Sequence, residues 1–182
     1  MSSNRVTLHI AVENFCKQNM VKYKDMVKLI RPLLKNYFLG RSEENNIKEL
    51  VTIDARKETV RRKFIKMARN PNAYSDTDKV VFAVAVACCS WYQKLSAKLL
   101  AKMERKVPEG KELVYILKCV YLEGDGRTDV SMQHELSMSS GTYNRRKDDA
   151  IALYGTVILE YAVRREKEDV AAGIVPPPDF EL

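Results

Sequence analysis

The sequence predicts an all-α fold, a helical bundle with a C-terminal helix-turn-helix, on three observations. Apolar residues make up 46% of the 182, enough for a core, while 7 Gly and 6 Pro are too few for the turns of an all-β chain. Apolar side chains recur at steps of three and four through each long segment. Near the C-terminus a short periodic run and a long one are separated only by Ser137-Met138-Ser139. The longest uninterrupted apolar run, residues 80–89, falls short of the ~18 residues that a bilayer crossing needs, so no membrane span is expected. The start lacks a charged n-region followed by an apolar stretch, which predicts a cytoplasmic chain. Cys16, Cys88, Cys89 and Cys119 have neither zinc-ligand nor disulfide-framework spacing and are expected as reduced core thiols.

Taken in order, Val21, Met26, Ile30, Leu33, Leu34 and Phe38 predict an amphipathic helix with Gly40 as its C-cap. Pro32 lacks a backbone donor, which predicts a kink or division near Ile30. A second helix is expected over residues 42–69, ended by Asn70-Pro71-Asn72. Residues 22–69 hold 14 Lys+Arg against 6 Asp+Glu, a surplus larger than the +7 of the whole chain. Arg56, Lys57, Arg61, Arg62, Lys63, Lys66 and Arg69 form either a solvated helix face or a phosphate track.

Asp76 or Thr77 is the expected cap of the next helix, whose stripe runs through Val80, Val84, Cys88, Trp91, Leu95 and Leu99. Its first half is apolar all round, which predicts a central helix, and Cys88, Cys89 and Trp91 are read as packing groups. Lys98, Lys102, Arg105 and Lys106 suit a helix C-terminus, and Pro108-Glu-Gly110 stops it. This punctuation divides the chain into a basic helical region (1–108), a helix-turn-helix region (109–172) and an extended, projecting Pro-rich tail (173–182). Leu113, Ile116, Leu117, Val120 and Tyr121 predict a further helix over 111–122, broken by Glu123-Gly-Asp-Gly126.

The most informative segment is residues 128–151, with helices expected at about 129–136 and 140–167. Met132, Leu136, Met138, Tyr143, Ala150 and Ile151 can form the apolar wedge that sets two helices at a steep angle. Ser139 is placed as the N-cap of the second helix, an arrangement worth ~1 kcal/mol. With Tyr143 turned inward, Ser140, Gly141, Thr142, Asn144 and Arg145 are exposed at the amino end, where a major-groove reader presents its contacts. Asn pairs bidentately with adenine and Arg with guanine, and small residues permit close approach. Arg146 and Lys147 are assigned to phosphate, so double-stranded DNA is the expected partner. Asp148 and Asp149 oppose this reading unless paired, and residues 128–168 hold 6 Lys+Arg against 7 Asp+Glu.

The stretch Leu136-Ser-Met-Ser-Ser-Gly-Thr-Tyr-Asn-Arg-Arg-Lys-Asp-Asp-Ala-Ile resembles the C-terminal part of ArpU-type phage transcriptional regulators. Their helix-turn-helix is itself similar to the promoter-reading helices of bacterial sigma factors. Leu113-Val-Tyr-Ile-Leu-Lys-Cys-Val-Tyr-Leu is similar to the helix that supports that motif. The chain departs from the pattern at Gln133, at Ser137, where the turn usually has Gly, and at Arg146, a frequently apolar position. The resemblance implies DNA binding and regulation of phage or prophage late genes.

Two alternatives stand beside that reading: a sigma-like accessory factor that contacts RNA polymerase, and a helical adaptor without nucleic acid. Paired half-sites ~34–36 Å apart would call for a homodimer, although no heptad seam marks an interface. His9 and His134 are isolated, and no metal spacing is present. Asp148-Asp149 as neighbouring helical positions face different directions, unlike catalytic paired carboxylates. Ser139-Ser-Gly-Thr142 lacks the spacing of a nucleotide loop. The expectation is a non-enzymatic protein without metal or cofactor.

Overall fold

The computed structural model describes residues 3–37, 57–87, 90–123 and 127–182, and these contain eight α-helices and no strand. They are α1 (Ser3–Gln18), α2 (Tyr23–Lys35), α3 (Lys57–Arg69), α4 (Asp76–Ala87), α5 (Ser90–Met103), α6 (Gly110–Leu117), α7 (Asp129–Glu135) and α8 (Ser140–Ala171). A 3₁₀ turn, Pro71–Ala73, joins α3 to α4, and a π-helical turn, Lys118–Leu122, extends α6. No helix among the described residues is long and apolar enough to cross a membrane.

The spine of the molecule is α8. Its 32 residues reach ~48 Å, long enough to meet most of the other helices in turn. Residues 150–157 are all buried, so every side of this stretch is covered. Leu8, Val12 and Cys16 of α1, spaced four apart, join that core, with Cys16 Sγ 3.3 Å from Thr156 Oγ1. The stripe Met26, Ile30, Leu33 and Leu34 brings α2 against α8 at Gly155, where a Cβ would stand 2.3 Å from Ile30 Cγ1. Tyr154 reaches Tyr92 of α5 through a 2.9 Å bond between hydroxyls, which satisfies two buried polar groups. One apolar core takes side chains from both sides of residue 108, from Leu8 to Ala162.

Several expectations are corrected. The segment 76–103 is not the central helix: α4 packs on α2 while α5 packs on α8. Val80 and Val81 are 43% and 55% exposed. An apolar run states that burial is favourable, but the central place went to the helix with the longest continuous covered stretch. The cap of α4 is Ser75 rather than Asp76 or Thr77. Its Oγ accepts from Asp78 N at 3.1 Å, while Asp78 Oδ2 accepts from Ser75 N at 3.0 Å, a reciprocal capping box. Pro32 does not divide α2, which runs through it to Lys35. Asn36 closes the helix by donating from its backbone N (3.1 Å) and Nδ2 (2.7 Å) to the Pro32 carbonyl. The expected cap Gly40, residues 42–56 of the second helix, Cys88, Cys89 and the Trp91 side chain lie outside the described residues.

The tail does not project. Gly173 takes φ +70°, Gly173 N donates to Val170 O at 3.0 Å and Ile174 N to Asp169 O at 2.9 Å, which together reverse the chain at the end of α8. The following residues return along α3. Arg62 donates to the Pro176 carbonyl and Arg69 to the Glu181 carbonyl, Lys66 pairs with Asp179 at 2.9 Å, and Phe180 and Leu182 pack on the core. The prolines exclude a helix but leave these apolar and charged groups free to dock.

Candidate nucleic-acid interface

The amino end of α8 is held by a small apolar cluster beside the main core. Ile116 and Cys119 from α6 and its π turn, Met132 from α7 and Tyr143 from α8 are buried together, and Tyr115, Val120, Leu136 and Met138 pack around them. Ala150 and Ile151, expected in this wedge, belong instead to the main core. The supporting helix α6 starts from Glu109 in the left-handed region (φ 60°), tightly against the end of α5. A Cβ at Gly110 would meet the Glu104 carbonyl oxygen at 2.6 Å.

α7 begins at Thr128, whose Oγ1 accepts from Ser131 N at 3.1 Å, and gives way at Ser137, a non-glycine residue with φ 51°. The backbone of Ser137 thus takes a conformation that Gly would favour. Ser139 Oγ then accepts from Thr142 N at 3.3 Å and starts α8 as the sequence predicts. The buried Tyr143 ring locks the register further, with its hydroxyl donating to Asp129 Oδ1 at 3.0 Å. Burial pushes the Tyr143 phenol well above its ordinary value, and the Asp129 carboxylate adds to this. Burial alone would raise the Asp129 carboxyl, but Lys147 and Tyr143 hold it below the usual range.

The seven residues singled out in the sequence divide into three groups. Ser140, Gly141, Asn144 and Arg145 are exposed at the amino end, and neither Asn144 nor Arg145 bonds to another side chain among the described residues. Open space surrounds the Gly141 Cβ position, so nothing within the protein requires glycine there. Thr142 is half-buried and accepts a 3.0 Å bond from Ser139 Oγ. Arg146 and Lys147 depart from the expected phosphate role because both are engaged inside the protein. Arg146 is 4% exposed and pairs with Glu109 at 2.9 Å and Glu112 at 3.3 Å. Lys147 pairs with Asp129 at 2.6 Å and lies 5.4 Å from the Tyr143 ring centroid. The Arg146 charge is met by two glutamates, Glu109 just before α6 and Glu112 in its first turn.

Asp148 and Asp149 are also occupied. Asp148 meets Arg31 of α2 at 2.5 Å. Asp149, 1% exposed, shares a 2.6 Å bond with His9 Nδ1 and accepts from the Tyr23 hydroxyl at 2.9 Å. Burial raises the Asp149 carboxyl, with His9 and Tyr23 acting in the opposite direction.

The basic surplus of α3 is largely neutralised. Arg61 meets Glu166 (3.2 Å) and Asp169 (2.5 Å), and Arg62 meets Glu166 (2.5 Å). Lys66 and Arg69 hold the tail, as described above, and Lys63 lies 5.7 Å from the Phe82 ring centroid. Arg56 and the Lys57 side chain lie outside the described residues. Of the two readings of this face, solvated surface or phosphate track, neither describes its paired residues, which dock the acidic end of α8 and the tail.

On α2, Lys24, Lys28 and Lys35 are exposed and have no ion pair among the described residues. Their spacing opposite the apolar stripe was a sequence signal, hidden by the larger charge count of the whole basic region. Among the described residues no group of three His, Cys, Asp or Glu side chains is placed to hold a metal ion. The fold and this site define an all-helical protein with an exposed, polar helix terminus. The chain matches no known protein family, curated protein or solved structure.

Proposed function

We propose that the chain is a sequence-specific DNA-binding transcriptional regulator, with α7 and α8 acting as a helix-turn-helix whose second helix reads the major groove. The observation that carries this reading is the amino end of α8. Ser140, Gly141, Asn144 and Arg145 stand exposed while the Tyr143 anchor between them is buried. A helix fixed on one side and bare on the other, with an Asn and an Arg at its exposed end, has the geometry and the hydrogen-bonding groups of direct base readout. The pairing of Asp148 with Arg31 supports it further, because it offsets a negative charge one turn from the reading end, and Asp149 is turned inward and buried. The resemblance of residues 136–151 to ArpU-type regulators points to phage or prophage late genes as targets.

Selection from randomised duplex DNA tests the reading. The full chain is expected to enrich one motif, and Asn144→Ala and Arg145→Ala each to relax a separate base position, at ~1–3 kcal/mol per bidentate contact. Uniform weakening on every sequence would reassign both residues to phosphate. The absence of an enriched motif, alone and with RNA polymerase, would overturn the proposal. Enrichment only with polymerase would favour the sigma-like accessory factor.

A further inference from the structure

We infer that the groove between α2 and α4 is a phosphate-binding track that grips the same DNA duplex beside the reading end of α8. This inference rests on the DNA-reading proposal above. Lys24, Lys28, Arg31 and Lys35 follow steps of four, three and four, so they share the face of α2 opposite its buried stripe Met26, Ile30 and Leu33. They line a groove of about 820 Å³ whose other wall includes Asp76, Lys79 and Val80 of α4, with Asp148 of α8 also on its lining.

Charge accounting within the groove is simple. Asp148 is paired with Arg31 and Asp76 with Lys79 (3.2 Å). Lys24, Lys28 and Lys35 remain, exposed and without an ion pair among the described residues. On α3, by contrast, Arg61, Arg62 and Lys66 are already paired with acidic groups, which leaves Lys63 exposed without an ion pair among the described residues.

Position ties the groove to the reading end. Asp148 lies one helical turn beyond Asn144 and Arg145 on the same side of α8, ~5 Å along the axis, and its partner Arg31 sits inside the lysine strip. Lys24 to Lys35 spans ~16 Å, about half of the ~34–36 Å turn of duplex DNA. A duplex that places a base edge at Arg145 can thus bring its backbone to α2. The mobile ammonium groups suit phosphate, and a strip of this kind adds affinity without choosing sequence.

The test is the salt dependence of binding by the full chain to its selected DNA. Three neutralised phosphates contribute about 2.7 to the slope of log K against log[salt], or about 40-fold of affinity between 50 and 200 mM. The triple variant Lys24→Gln/Lys28→Gln/Lys35→Gln is expected to lose that much of the slope and to keep its preferred motif. Lys28→Gln alone is expected to lose about 0.9. A control triple at exposed lysines elsewhere, Lys94→Gln/Lys98→Gln/Lys167→Gln, is expected to keep the wild-type slope.

An unchanged slope in the α2 variants, with motif selection intact, would overturn the track and leave the reading end standing. An equal loss in the control would overturn it too, by showing that any surface charge suffices. Failure to bind DNA would overturn both proposals. If anionic lipid vesicles bind with the same lysine dependence while duplex DNA does not, the groove belongs to a membrane surface and the track is refuted.

Discussion

The crossing of α2 over α8 at Gly155 sets the position of the lysine strip relative to the reading end, and Gly155→Ala tests it. An ideal Cβ there lies 2.3 Å from Ile30 Cγ1 and 2.5 Å from Met26 Sδ, far inside the ~3.5–4.0 Å of a favourable contact. Met26 is flexible and can swing aside. Ile30 is branched at Cβ and locked in a helix, so α2 itself must move by more than ~1 Å. A contact this short puts the overpacking cost in the upper part of its range, at ~2–3 kcal/mol, while replacing a mid-helix Gly by Ala returns ~1 kcal/mol through helix propensity. The net expectation is a loss of ~1–2 kcal/mol, or a Tm lower by roughly 2–8 °C for a chain of this size. Urea unfolding followed by circular dichroism measures it directly. Ile30→Ala alone should cost ~2–5 kcal/mol by leaving a cavity. Combined with Gly155→Ala, the methyl group fills part of that space, so the double variant should be more stable than additivity predicts by ~1 kcal/mol. A Gly155→Ala protein as stable as the wild type, or a strictly additive double variant, would refute the close crossing.

Further expectations concern the turn, the buried ion pairs and the acid limb. Ser137 adopts φ 51°, a left-handed conformation costing ~1–2 kcal/mol in a non-glycine residue, so Ser137→Gly should stabilise the protein by up to ~1 kcal/mol in urea titration. A destabilised variant would mean that the turn is not left-handed in solution. Glu166 is fully buried between Arg61 and Arg62, so Glu166→Gln should cost about 3 kcal/mol by leaving two cations short of their counter-charge. Unchanged thermal melting would show that α3 does not dock on this end of α8. Burial would raise the Glu160 carboxyl, but Lys102 and Lys106 hold it below its ordinary value. Its contribution is therefore fully present above the unfolded carboxyl pKa of ~4.3 and is lost as pH falls through the lowered value. Glu160→Gln should flatten that acid limb in melts between about pH 5 and 2, and an unaltered limb would exclude the Lys102–Glu160–Lys106 cluster.

Much of the local structure was legible in the residues. The steps of three and four placed α2 and α6, the Ser137-Met-Ser139 joint placed α7 and α8 within one residue of their observed starts, and the Ser139 cap and inward Tyr143 followed from side-chain chemistry. Contacts distant in sequence were not legible. Arg146 is separated by more than thirty residues from Glu109 and Glu112, and nothing in its neighbourhood announces that they will meet. The same applies to Asp149 with His9, and to the tail, whose prolines gave no sign of its return to α3.

The amino-acid sequence by itself determined that this chain is helical and where its helices near the C-terminus begin, because periodicity, caps and breakers act over one or two turns of backbone. Only the tertiary structure decided which helix became the spine and which charges stayed free. Burial selects among amphipathic faces by how completely neighbours can cover them, and an ion pair requires both partners to be brought together across the fold. Arg61 and Arg62 of α3 were thereby taken up by the acidic end of α8, while Lys24, Lys28 and Lys35 of α2 were left exposed.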